Sequence, residues 1–174
     1  KEAFESRKTD ICVGGKLFKR ETIGEIRYPK VSTFDDEFIT YKLIYQAKKI
    51  ILLDEVYYYY FMSPNSIMRR KRDRLPLTYM CAYQERKEFF LKNKEIRLYE
   101  ISAKEYAIRL MLSYLNYDNF EMAEKSSEDI LKMFYEEYQI GVHTAKGAKE
   151  ILSLFLFARM PKLCKRIKTM REKI

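Results

Sequence analysis

Three consecutive carboxylates, Asp35, Asp36 and Glu37, make the one concentrated acidic cluster in this sequence. Adjacent carboxylates raise one another's pKa or attract a cation, so such a triplet could serve acid–base chemistry. The same residues also suit a helix start, where the macrodipole and free backbone N–H groups favour negative charge. Spacing alone leaves both readings open. The rest of the chain is thinly supplied with chemistry. The single histidine, His143, stands in Gly141-Val-His-Thr144 and reads as a loop residue or cap neighbour with no assigned role. Cys12, Cys81 and Cys164 are odd in number and widely spaced, which fits neither a disulfide framework nor a Cys-x-x-Cys site and points to a reducing compartment. One histidine and scattered cysteines do not make a structural zinc site, and no metal ligands are assigned in this chain.

The triplet needs a helix beneath it, and the apolar spacing provides one. Phe38, Ile39, Tyr41, Leu43, Ile44 and Ala47 recur at helical intervals after Ser32 and Thr33 as cap candidates, predicting a helix over 35–48. Residues 50–53 and 56–62 are β-branched and aromatic runs split by Asp54-Glu55, and each reads as a short strand or extended segment. In the second run Tyr58 and Tyr60 would share one face and Tyr57 and Tyr59 the other. Beyond this point the pattern is helical almost throughout. Helices are predicted at 76–93, 99–116, 120–138 and 144–157. A last one begins at Pro161, with Met160, Leu163, Cys164, Ile167, Met170 and Ile174 on one face and Lys162, Lys165, Arg166, Lys168, Arg171 and Lys173 on the other.

A chain of 174 residues is one domain, or one domain with an appendage, and 47% apolar with 34% charged residues excludes an intrinsically disordered protein. The longest nearly unbroken apolar run, 151–158, is interrupted by Ser153 and falls short of the roughly 18 residues that span a bilayer. No signal peptide is visible, and the opening on Lys1 suggests a piece of a longer or processed chain. The net charge of +9 is concentrated in two segments: 68–74 carries +4 and 159–174 carries +6, so the rest sums to −1. Such patches raise the potential toward phosphates of nucleic acid, lipid or nucleotide. Neither basic segment is interleaved with aromatics and no nucleic-acid-binding motif is present, so nucleic acid is not the expected partner. The tail is either an anchor on an anionic membrane surface or a helix packed on the helical domain with solvated charges.

Several pieces fall in a recognisable order: Cys12-Val-Gly-Gly-Lys-Leu-Phe-Lys-Arg20, Ile26-Arg-Tyr-Pro29, Phe34-Asp-Asp-Glu-Phe38, Ala47-Lys-Lys-Ile50, Val56-Tyr-Tyr-Tyr-Tyr60 and Asn65-Ser-Ile67. The series resembles the second half of family 2 glycosyltransferases of the bacterial polysaccharide and wall-polymer type, across roughly residues 10 to 70. The resemblance implies an α+β, predominantly helical fold. Residues 1–70 would be the acceptor-side remnant of a GT-A type domain with short strands, and 71–174 a multi-helix C-terminal domain. It implies an inverting transferase in which Asp36 takes a proton from the acceptor hydroxyl, flanked by Asp35 and Glu37 as orienting or acceptor-site groups. Lys16, Arg69 and Arg70 would be candidate phosphate contacts, although Lys16 reads equally as a solvated lysine. The implied partners are a nucleotide-sugar donor and a glycan or lipid-linked acceptor. A divalent Mg or Mn ion would belong to a nucleotide-binding half that this chain lacks, leaving the chain inactive alone. The implied location is cytoplasmic, peripheral at the inner face of the membrane. A basic helical module that binds nucleic acid or a membrane surface is the alternative.

Overall fold

The computed structural model describes Phe4 and residues 12–30, 34–61, 63, 77–116 and 126–171, which divide into two units, Lys1–Arg72 and Asp73–Ile174. In the first unit a single helical turn, α1 (Arg20–Ile23), precedes α2 (Asp36–Gln46). The second helix begins where its capping residue dictates: the Asp35 side chain accepts a hydrogen bond from the Asp36 backbone N–H. Phe38, Ile39, Thr40, Tyr41, Leu43 and Ile44 are all buried, so α2 is covered on several sides rather than along one stripe. It stops two residues short of the predicted 48, at an extended Ala47 whose N–H still reaches the Leu43 carbonyl.

The two predicted strands do not form. Residues 50–61 are irregular, and no strand occurs anywhere among the described residues. The branched and aromatic side chains fit an extended backbone, but a strand exists only as one member of a hydrogen-bonded ladder, and no described segment supplies the other member. Residues 50–61 are exposed throughout, Tyr58 included, although its ring also lies against the Gly14-Gly15 turn. The expected α+β class is therefore corrected to all-helical over the described residues. With it goes the expected remnant of a GT-A domain, which needs paired strands to exist as a remnant.

The second unit is a stack of helices around α4. Helix α3 (Leu77–Lys92) and α4 (Ile96–Leu115) are joined by a tight reversal. There the Glu95 N–H donates to the Phe90 carbonyl at 2.8 Å and the Lys94 N–H to the Leu91 carbonyl at 2.9 Å. This is a Schellman closure with Lys94, at φ 58°, in the left-handed position usually held by glycine. Helix α5 (Ser127–Gly141) starts at a capping box, Ser126 Oγ accepting from the Asp129 N–H at 3.1 Å and Asp129 Oδ2 accepting from the Ser126 N–H at 2.8 Å. At its other end α5 meets α4 without a side chain between the backbones. A Cβ on Gly141 would lie 2.3 Å from the Lys104 nitrogen and 2.5 Å from the Glu100 carbonyl oxygen.

A short 3-10 turn (Val142–Thr144) leads to α6 (Ala148–Arg159) and α7 (Pro161–Arg171). Helix α6 is held by Leu154 and Phe157. The Phe157 ring meets Phe134 edge-on at 4.7 Å and Tyr114 at 5.4 Å, and the Tyr135 hydroxyl donates to the Ala158 carbonyl at 3.0 Å. Helix α7 buries no residue. Among the described residues no helix is long and apolar enough to cross a membrane.

Candidate functional site

The acidic triplet is brought together at the start of α2. The Asp35 carboxylate accepts from the Asp36 N–H and the Asp36 carboxylate from the Glu37 N–H, each at 3.1 Å, so both oxygens serve the first turn of their own helix. Tyr28 lies near them: partial burial raises its phenol above the usual value, and the negative charges of Asp35 and Asp36 raise it further. Lys16 donates to the Cys12 carbonyl and closes its own turn. Arg69 and Arg70 lie outside the described residues. No described contact joins Lys16 to the triplet, and the backbone bonds account for Asp35 and Asp36 without substrate chemistry.

The second unit holds ion pairs that the sequence pattern did not announce. Arg86 on α3 reaches Glu105 on α4 at 3.3 Å, and its guanidinium lies 4.3 Å from the Tyr83 ring centroid. Tyr83 in turn stacks on Tyr106 at 5.6 Å. Lys87 bonds to Glu137 on α5, and Lys104 on α4 reaches Glu150 on α6 at 2.8 Å. Burial raises the Glu137 carboxyl above its usual range, and this outweighs the lowering by the Lys87 ammonium. Burial also raises the Tyr106 phenol, with Glu137 adding to the effect. His143 Nε2 lies 3.0 Å from Glu100 Oε2. These pairs tie adjacent helices together. The signal for them was a charge inside an apolar stripe: Lys104 stands three residues from both Ile101 and Ala107.

The arrangement with a surface to offer is at the C-terminal end. Helix α7 is sheltered along Pro161, Cys164, Lys165 and Lys168. Lys168 donates to Asn116 Oδ1 just beyond α4, and the Lys165 ammonium stands 5.7 Å from the Tyr114 ring centroid. Because this lysine side faces α4, the apolar stripe is turned outward: Leu163 is 44% exposed, Ile167 45% and Met170 61%. Helix α6 behaves alike. It buries Leu154 and Phe157 and leaves Ile151, Leu152, Phe155 and Leu156 exposed, with the Arg159 guanidinium 5.1 Å from the Phe155 ring centroid. Exposed side chains of Lys162, Arg166 and Arg171 flank the α7 stripe.

Compared with known proteins, the chain matches no family model, no curated protein and no solved structure. The resemblance to family 2 glycosyltransferases is withdrawn, because the described residues contain no strand from which a transferase sheet could be assembled. Nor do they contain a group of three His, Cys, Asp or Glu side chains placed to hold a metal ion. The assignments that followed from it, an enzyme and an inverting sugar transfer with Asp36 as base, are withdrawn with it. The nucleotide-sugar donor and the lipid-linked acceptor rested on that resemblance alone.

Proposed function

We propose that the helical unit attaches the protein reversibly to anionic membrane surfaces through α6 and α7. The observation that carries this reading is the orientation of α7, whose Lys165 and Lys168 face the protein while Leu163, Ile167 and Met170 are turned toward solvent. A helix packed for stability alone would point that stripe at α4. An exposed apolar stripe rimmed by cations is instead matched to the boundary between headgroups and acyl chains. Each cation near an anionic leaflet contributes about 1 kcal/mol, and each half-exposed Leu or Ile about 1 kcal/mol on burial, so the sum is several kcal/mol. That supports peripheral, salt-sensitive attachment rather than insertion.

Cosedimentation with vesicles tests it. The chain is expected to bind vesicles of phosphatidylcholine with phosphatidylglycerol, to bind phosphatidylcholine alone weakly, and to be released by raised salt. Leu163→Ser with Ile167→Ser is expected to abolish attachment; both side chains are half-exposed, so only a modest drop in melting temperature is expected, and the variant should remain folded at the assay temperature. A variant that melts early yet still binds vesicles would refute the reading, as would a wild-type chain that forms salt-sensitive complexes with oligonucleotide and none with vesicles.

A further inference from the structure

Beside the exposed stripe of α7 is a recess of about 400 Å³ lined by Tyr114, Lys162, Lys165, Arg166, Thr169 and Met170. Three of these six are cations and two, Thr169 and Tyr114 near the end of α4, carry hydroxyls. Met170 belongs to both features: it lines the recess and stands on the apolar stripe with Leu163 and Ile167. Whatever occupies the recess therefore lies next to whatever covers the stripe. Burial raises the Tyr114 phenol above its usual value, with Tyr135 and Glu128 adding to the shift.

An oxyanion group with an apolar chain attached matches this layout. The surface of the recess is predominantly apolar, as the carbon stems of these lysines and the arginine make it, and their ammonium and guanidinium groups add positive charge around it, the guanidinium with a planar fork suited to phosphate. We infer that the recess receives the phosphate of an anionic lipid headgroup whose acyl chains lie along Leu163, Ile167 and Met170. The inference rests on the membrane-docking reading and gives it a specific headgroup contact in place of a diffuse field.

The test compares equal charge removals on the full chain, using the same phosphatidylglycerol vesicles. Lys162→Gln with Arg166→Gln removes two recess cations that are solvent-exposed, so the fold should persist, and circular dichroism melting checks that it does. Lys146→Gln with Lys149→Gln removes the same charge at the opposite end of α6. The recess pair is expected to weaken partitioning about tenfold more than the control pair, because contact is lost as well as field. Inorganic phosphate is expected to displace the wild-type chain from vesicles more effectively than chloride at the same ionic strength. Equal losses from the two pairs, with wild-type binding intact, would overturn the recess and leave the docking reading standing. Absence of wild-type vesicle binding would overturn both. Phosphate-induced NMR shifts at Thr169 and Met170 without vesicle binding would assign the recess to a soluble anion and overturn the lipid source.

Discussion

Replacing Gly141 with alanine poses two physical effects against each other. The residue has φ −113° and ψ −10°, a right-handed conformation that alanine adopts freely, and intrinsic helix propensity favours alanine by about 1 kcal/mol. Against this, the new Cβ would stand 2.3 Å from the Lys104 nitrogen, 2.5 Å from the Glu100 oxygen and 2.8 Å from the Lys104 Cα. Comfortable contacts begin at roughly 3.5 Å, so the crossing of α5 on α4 must open by about 1 Å. The atoms in the way are mid-helix backbone, which cannot rotate aside as a side chain would. Overpacking costs about 1 to 3 kcal/mol where side chains can adjust, and this site falls at or above the upper end. After the propensity gain, a net loss of about 2 to 3 kcal/mol remains. For a unit of about 100 residues that lowers the melting temperature by roughly 10 to 20 °C. Calorimetry on Gly141→Ala measures it, with Gly147→Ala as the comparison. Gly147 has φ 85° and no atom within 4 Å of its would-be Cβ, so only backbone strain of about 1 to 2 kcal/mol applies there. A Gly141→Ala protein that melts at or above wild type, or no lower than Gly147→Ala, would refute the close-crossing argument.

Lys94→Gly should raise the stability of the second unit by about 1 kcal/mol, since it removes a Cβ from the left-handed position of the Schellman closure; urea denaturation should show a higher midpoint at unchanged slope. Ser126→Ala should cost about 1 kcal/mol by removing the side-chain half of the capping box, and Ser126→Gly less. Glu137 is an acid whose folded pKa lies above its ordinary 4.5, so the unfolded chain releases this proton first as pH rises. Its contribution to stability is therefore highest at and below the ordinary value and falls as pH climbs through the folded pKa. The melting temperature of Glu137→Gln should gain on wild type over that interval, and a gap independent of pH between 4 and 7 would contradict the assignment. Tyr59→Lys should suppress self-association of the intact chain in sedimentation velocity, because it puts a charge into an exposed aromatic run that is β-prone and uncharged.

Periodicity was a sound guide wherever the physics is local. The apolar spacing located α2 to within two residues and the helices at 77–92 and 96–115 to within three, but the one predicted over 120–138 begins only after the Ser126 cap and runs to Gly141, and the one predicted from 144 begins at Ala148 after a 3-10 turn. It failed where the outcome depends on a partner. Residues 50–61 have the composition of strands, but composition supplies only a willingness to extend, and the ladder is a property of two segments. The acidic triplet shows the same limit in another form: three carboxylates at a helix start look the same in sequence whether they bind substrate or their own backbone. Ion pairs such as Lys87–Glu137 join residues fifty positions apart, a distance over which no spacing rule operates.

The tail carries that limit into function. Its stripe of Leu163, Ile167 and Met170 was plain in the sequence, yet the same stripe is compatible with facing the core or facing solvent. What decides between them is a pair of contacts made by residues on the polar side of the wheel. Lys168 needs Asn116, and Asn116 is available because α4 ends there, with its backbone N–H and side-chain amide both returned to the Leu112 carbonyl. Lys165 needs the Tyr114 ring two residues earlier on that helix, and Phe157 of α6 holds that ring edge-on. The orientation of α7 is thus set by the end of α4, some fifty residues away in sequence, and the exposed stripe is a consequence of satisfying two lysines. Substitution of Asn116 and Tyr114 would release the helix to roll its apolar side inward, so the same residues that seat α7 also keep its membrane-facing side presented.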